Sequence, residues 1–414
     1  MTLKPEQFNH ATLPCGLRIV QEPSHSDSVY CGYVILAGTR HEEPHDKGMA
    51  HFIEHLSFKG TEHRRACHIS NGLERVGGEL NAYTNKQATV YHATVLRPDF
   101  RRAAELLTDM VFHSTYPQAE ITKEVEVICD EIESYKDSPA ELIFDEFEAM
   151  VFEGQPLGRD ILGEPSRLRS YTTEDARRFT RKYYKPSNAV FYIYGNVDFD
   201  RAVRTMERLT ADFPPAEPQP LPPTVYGLPE TVPSIREVDK GTHQAHVLVG
   251  SIIAGGNDPD RFATMLLNNI VGGPGMSSRL NTSMREKAGL VYSIDSYVTA
   301  YPDVGTWNVY FGCDNHDVDR CLRILNRELS RFIDDFITPA RLAAAKKQYV
   351  GQIGIARDNL EGHALGMGRA WALYGRHTTA ADAVEAINSI NAEQIRTVAE
   401  KAFSSNRLFR LVYH

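Results

Sequence analysis

No run of the sequence approaches the roughly twenty consecutive apolar residues that a membrane-spanning helix needs. The longest, around Val247–Ala254, falls far short. A basic stripe is also missing: 45 Lys and Arg stand against 54 Asp and Glu, a net charge of −9, which argues against nucleic acid as a partner. The opening residues, MTLKPEQFNH, have no apolar core of a secretory signal. They also lack the arginines of a mitochondrial transit peptide, and Glu6 counts against one. The six cysteines (Cys15, Cys31, Cys67, Cys129, Cys313 and Cys321) form no C-x-x-C pair. Such spacing is expected of reduced, mostly buried thiols in a cytoplasmic protein. What is present is an ordinary globular composition, 42% hydrophobic and 24% charged, over 414 residues. That length suggests two to four domains, and the composition is too apolar for a disordered chain.

Proline is concentrated in one place. Between Phe213 and Pro233 stand Pro214, Pro215, Pro218, Pro220, Pro222, Pro223, Pro229 and Pro233. Proline fixes φ and donates no backbone hydrogen bond, so an extended spacer is expected there. The chain therefore reads as a first domain over 1–212, a linker over 213–235 and a second domain over 236–414. The two halves share a plan. Strand-like runs at Leu17–Gln21 and Val29–Ala37 precede a helical stretch at Met49–Phe58; Ala245–Ile253 precedes one at Arg261–Val271. Each half later passes from a strand into an amphipathic helix, and a further helix follows, at Ala119–Tyr135 and at Pro339–Arg357. This order of elements predicts an α+β protein of two homologous α/β domains.

The sharpest local signal is HFIEH. On a helix His51 and His55 lie four residues apart and share a face, so two imidazoles can bind one zinc ion. Glu54 sits one residue before the second histidine, in the order of the inverzincin pattern. A chance H-x-x-E-H on a solvated helix is the bland alternative. The flanks Met49, Ala50, Phe52, Ile53 and Leu56 count against it, because unpaired charges are costly in an apolar stretch. A catalytic zinc needs a third protein ligand. Glu124 and Glu131, seven residues apart, share a helix face; one can be a ligand and the other its support. Taken alone, that segment reads as an exposed acidic face.

With HFIEHLSFKGT, and Glu131 following its His55 after 75 intervening residues, the sequence resembles the pitrilysin-type (M16) metallopeptidases, which include insulin-degrading enzyme and the mitochondrial processing peptidase. GELNAYTNKQATVY is similar to the family's substrate-binding edge strand at Asn81, Ala82 and Tyr83. GGPGMSSRLNTSMREKAGLVYS resembles its Gly-rich loop followed by an R-x6-Y pair, here Arg285 and Tyr292. The resemblance implies domains with mixed, largely antiparallel sheets and helices packed on them. It implies one Zn2+ per chain, held by His51, His55 and Glu131, with Glu124 orienting the site. Glu54 is then the general base, Tyr292 an oxyanion donor and Arg285 a ligand for substrate carbonyls. Without the family, Arg285 reads as a surface salt bridge.

A free strand edge pairs with any extended peptide, so unfolded peptides are the expected substrate. Longer relatives close four such domains around a chamber. This chain, with two, is expected to form a homodimer, the alternative being a heterodimer with an inactive sibling. Two other functions are weighed: a non-catalytic subunit resembling the bc1 core proteins, and a peptide-binding module. Laying Ala50–Gly60 over Thr264–Pro274 sets Met265, Asn268 and Asn269 opposite His51, Glu54 and His55, so the second domain is expected to lack metal chemistry.

Several residues are set aside. His243 and His246 fall on opposite faces of a strand, His41 and His45 read as a solvated loop, and Cys129 packs. GGPG lacks the ending of a P-loop. Nine carboxylates lie between Asp130 and Glu153, opposed locally only by Lys136. They suggest an acidic chamber wall that favours basic peptides.

Overall fold

The structure is a computed structural model, and residues 7–222 and 232–414 are described. The first six residues of the N-terminal reading and the centre of the proline-rich linker lie outside the described residues. Six strands form a first sheet: β1 (Asn9–Thr12), β2 (Arg18–Glu22), β3 (Ser28–Ile35), β4 (Glu79–Thr84), β5 (Thr89–Leu96) and β6 (Ala189–Tyr194), in the order β1-β2-β6-β3-β5-β4. Five form a second: β7 (Ile235–Val238), β8 (Ala245–Ala254), β9 (Val291–Ala300), β10 (Val304–Cys313) and β11 (Phe409–Tyr413), in the order β7-β11-β8-β10-β9.

Apart from β1 the two sheets are the same object. In each the first pair is parallel, β2 with β6 and β7 with β11, and the remaining neighbours are antiparallel. The helices of the first half are α1 (Met49–Leu56), α2 (Ala66–Glu74), α3 (Phe100–Phe112), α4 (Gln118–Lys136), α5 (Pro139–Val151), α6 (Pro165–Leu168), α7 (Thr173–Tyr183) and α8 (Phe199–Leu209). Those of the second are α9 (Arg261–Gly272), α10 (Val318–Asp334), α11 (Pro339–Ala356), α12 (Leu360–Tyr374), α13 (Ala380–Ser389) and α14 (Ala392–Phe403).

Strand side chains alternate between faces, and the central strands of each sheet are buried on both. From β3, Val29, Cys31, Tyr33 and Ile35 enter the core beneath α1 and α3, whereas Val34 faces the other way. There it meets Val20, Val90, Val190 and Tyr192 beneath Ala364, Met367 and Ala372 of α12, a helix of the second half. The exchange is reciprocal. Helix α5 of the first half lays Ile143, Phe147, Met150 and Val151 on Leu248, Phe409, Leu411 and Tyr413 of the second sheet. Each half thus supplies the cover for the other's sheet. An ion pair between Arg40 and the buried Asp303 adds a polar clasp, one of its bonds at 2.7 Å. From Phe213 to Pro222 the chain forms neither helix nor strand. It is tied to the first half by Ala216 N–H donating to Pro14 O and Gln219 N–H to Ser187 O.

This exchange corrects the expectation of an acidic wall. Within the sequence only Lys136 opposes the carboxylates of 130–153, but the fold brings others. Glu146 pairs with Lys240 at 3.1 Å, Glu153 with Arg236 at 2.8 Å, and half-buried Glu148 lies 3.7 Å from Lys86 and accepts from the Tyr301 hydroxyl at 2.5 Å. Three of the acids, Glu146, Glu148 and Glu153, are therefore paired at the contact between the halves. A second correction concerns His41. Its Nδ1 accepts from Gly38 N–H at 3.2 Å, and burial together with Arg40 lowers its pKa to about 4, so it is a neutral packed group; His45 is exposed as expected.

Because α5 is core rather than decoration, Phe147→Ala should cost about 3–5 kcal/mol, the usual range for a fully buried aromatic. Urea unfolding of the full chain checks this. A loss below about 1 kcal/mol would place α5 outside the core.

Candidate metal centre

Helix α1 is short and almost entirely buried, with Met49, Ala50, Phe52, Ile53 and Leu56 in the core of the first half. Its start is fixed by two devices. Gly48 adopts φ 79°, where a side chain is strained, and an added Cβ would stand 2.8 Å from the Gly163 backbone. The buried Glu42 carboxyl accepts from Gly48 N–H at 3.0 Å and Ala50 N–H at 2.9 Å, filling the role of a cap for donors that the helix leaves unpaired. Burial pushes the Glu42 carboxyl up to about 8 against the pull of those two bonds.

On this helix the His51 and His55 rings lie 4.6 Å apart. Glu131 reaches them from α4, its Oε2 3.9 Å from His51 Nε2 and 3.7 Å from His55 Nε2. The three donors all lie within 4.8 Å of one another. Donors about 2.0–2.1 Å from a tetrahedral zinc would be separated by about 3.3 Å, so a small contraction completes the set. Protonation suits the same use. Burial and His55 lower the His51 pKa to about 3, leaving a neutral imidazole.

Glu124, two turns before Glu131 on α4, lies 2.9 Å from His55 Nδ1 and 2.6 Å from Lys59 Nζ. Burial opposes its charge. The bonds to His55 and Lys59 outweigh that and hold the carboxyl below its ordinary value. An ionised Glu124 keeps a proton on Nδ1 of His55, so Nε2, on the side of Glu131, is the nitrogen that a metal would take. Burial also works against a charged His55. Its bond to Glu124 and the charges of Glu54, Glu124 and Glu131 prevail, and its pKa is raised. Glu54 is driven up by burial, and Glu131 adds to this; the Thr84 hydroxyl, which donates to Oε2 at 2.6 Å, and His55 pull it down. Three carboxylates thus meet two imidazoles with Lys59 as the neighbouring ammonium. A divalent cation is what that donor set fits.

Sequence reasoning passed over Glu42, Lys59 and Thr84. Lys59 lies past the end of α1, in the bend that follows it, and its partner Glu124 is on α4. Thr84 and Glu42 had no signal either, because their partners are distant in sequence.

Asn81, Ala82 and Tyr83 lie on β4, the free edge of the first sheet, whose neighbour is β5 alone. Thr84 at the end of that strand touches Glu54, so the edge runs past the metal cluster. Arg285 and Tyr292 belong to the other half. Arg285 sits in a π-helical turn, Asn281–Glu286, with Glu286 at 3.9 Å as its ion-pair neighbour, and Tyr292 is the second residue of β9 and is 86% exposed. Among the described residues neither makes a hydrogen bond or ion pair with His51, Glu54, His55 or Glu131.

In the second half, α9 occupies the place of α1. Met265 is exposed, while Asn268 accepts from Trp307 Nε1 at 3.1 Å and donates to Ser296 O at 3.2 Å, a structural amide. Another trio, Asp314, His316 and Asp317, lies before α10 with no buried member. His246 bonds the Tyr310 hydroxyl at 2.8 Å. Among the described residues no helix is long and apolar enough to cross a membrane.

The fold and the cluster together define a two-unit metallopeptidase architecture, and comparison with known proteins agrees. Residues 18–165 match the family described as Insulinase (Peptidase family M16), and residues 170–349 match the Peptidase M16 inactive domain. A protein of Rickettsia felis described as an uncharacterized zinc protease is 32% identical over 402 residues, 97% of this chain and 96% of that one. The zinc protease YmxG of Bacillus subtilis, also described as uncharacterized, is 31% identical over 96% of each. A crystal structure of a protease from Helicobacter pylori superposes with a TM-score of 0.90 at 20% identity, covering 99% of this chain and 100% of that one. The chain belongs to the M16 peptidase family.

Removing the negative charge that orients His55 should weaken the metal without removing a ligand. Glu124→Gln is expected to lower zinc affinity by about 10–100-fold, read by competition with a chromophoric chelator. Unchanged affinity would show that Glu124 has no part in holding the metal.

Proposed function

We propose that the chain is a zinc-dependent endopeptidase that cuts extended, unfolded peptides. The observation that carries this reading is the convergence of His51, His55 and Glu131, with the Glu54 carboxyl beside them on the same buried helix. His51 and His55 would hold the ion through Nε2 and Glu131 through a carboxylate oxygen, one zinc per chain. Bound zinc supplies Lewis acidity and makes a water acidic enough to ionise near neutral pH. Glu54 is the general base: Thr84 anchors its Oε2, burial raises its pKa, and the carboxylate accepts the water's proton and returns it to the leaving amine. Glu124 fixes the tautomer of His55 and Lys59 steadies Glu124.

Substrate would add to the free edge at Asn81, Ala82 and Tyr83 by main-chain hydrogen bonds, which favours extended chains of any sequence. Arg285 would take substrate carbonyls and Tyr292 would donate to the developing oxyanion. Both are solvent-accessible, and both would reach the metal centre of a closed chamber formed by pairing of chains. A cytoplasmic homodimer is the simplest such assembly.

Two sets of variants test this reading. His51→Ala or Glu131→Ala should lose zinc and activity together, whereas Glu54→Gln should keep zinc and lose most turnover of a quenched peptide. Native turnover by Glu54→Gln refutes the mechanism. Full zinc occupancy with no cleavage by the native chain would favour a non-catalytic subunit or a peptide-binding module. In the second set, Arg285→Ala and Tyr292→Phe should bind zinc normally and show reduced kcat/KM. Native kcat/KM in both would remove the second half from catalysis.

A further inference from the structure

A cavity of about 320 Å³ lies in the second half between α9, α10 and α11, away from the metal cluster. One wall is apolar, formed by Ile270, Phe332, Phe336 and Ile337. The lining also includes residues with hydrogen-bond donors. Ser278 and Asn269 are among them and are only 5% and 6% exposed, yet the Ser278 hydroxyl and the Asn269 amide nitrogen have no hydrogen-bond partner among the described residues. Buried polar groups left unpaired are rare and call for an explanation. Asn269 is also the residue that the duplication sets opposite His55, so the position that offers a metal donor in the first half offers an unpaired amide here.

Charge points the same way. Arg279, Arg331 and Arg341 line the cavity, with Asp335 as its acid. Behind them the buried Glu328 carboxylate is shared by Arg279 at 2.7 Å, Arg331 at 3.1 Å and Arg327 at 3.2 Å, so one negative charge serves three guanidinium groups. Each keeps N–H donors that Glu328 cannot fill. Arg341 is exposed, and its guanidinium has no hydrogen bond or ion pair among the described residues. The site therefore offers a surplus of donors and positive charge together with aromatic and aliphatic surface.

We propose that this cavity is a binding site for a small carboxylate with an apolar body about the size of one ring. A planar carboxylate accepts from a guanidinium and from neutral donors at once. The volume is at the low end of ligand pockets, which suits one ring and a short chain. Phe332 and Ile270 cover the body, and Ser278 and Asn269 meet the head. Neither zinc nor peptide cleavage enters this inference, so it stands or falls apart from the proposed function.

Calorimetric titration of the full-length, zinc-loaded chain with 3-phenylpropionate tests it. One molecule should bind per chain, and the uncharged 3-phenylpropanamide should bind at least about tenfold more weakly, the size of a lost charge-assisted bond. Ser278→Ala and Arg341→Ala should each weaken the acid by about fivefold to tenfold, with circular dichroism and zinc content unchanged. Arg341 is on the surface, so its variant separates binding from folding. No heat up to about 10 mM acid, well beyond the millimolar limit of a weak specific site, would overturn the proposal. Equal affinity for acid and amide would do so too, as would indifference to both substitutions. Inorganic phosphate displacing the acid at equal concentration would reveal a generic basic patch and also overturn it.

Discussion

Three carboxylates crowd two imidazoles at the end of a buried helix, and the surrounding structure is organised by that crowding. Glu54, Glu124 and Glu131 gather around the two rings, and among the described residues Lys59 is the ammonium group that pairs with one of them. Leaving such charge partly out of water is costly unless it is paired or coordinated. The arrangement is held in place by features that serve little else. Glu42 and Gly48 set where α1 begins, and Thr84 fixes one oxygen of Glu54. The length of α4 brings Glu124 and Glu131 to the same face two turns apart. A divalent cation would resolve the electrostatics of this donor set.

The second constraint is the need to cover both faces of two sheets. A strand buried on both sides reads as a near-continuous apolar run, as AVFYIY in β6 does. The chain meets this by exchange: α5 covers the second sheet and α12 the first. The halves are therefore not beads joined by a linker. The order of elements alone could not show this, because the partners of Phe147 and Met367 lie more than a hundred residues away.

That distinction explains what was legible in the sequence. The helices bearing His51 and Glu131 could be read from periodicity, since they are local, and Met49–Leu56 and Gln118–Lys136 lie within a few residues of where the pattern placed them. The doubled plan was legible from the order of elements, and the sheet orders repeat it. Charge neutralisation was not. The acids between Asp130 and Glu153 looked unopposed because Lys86, Lys240 and Arg236 approach only in the fold. His41 looked solvated because the residues that bury it are remote. The roles proposed for Arg285 and Tyr292 rest on resemblance alone, for nothing near them in sequence marks them as functional.

X-ray absorption at the zinc edge of the metal-loaded protein is the most direct measurement of the central claim. With one zinc per chain, it should show two imidazole nitrogens and carboxylate oxygen at about 2.0–2.2 Å and no sulfur. A sulfur shell at about 2.3 Å would place the ion on one of the six cysteines. That result, or a zinc edge without imidazole scattering, would contradict a centre built from His51, His55 and Glu131.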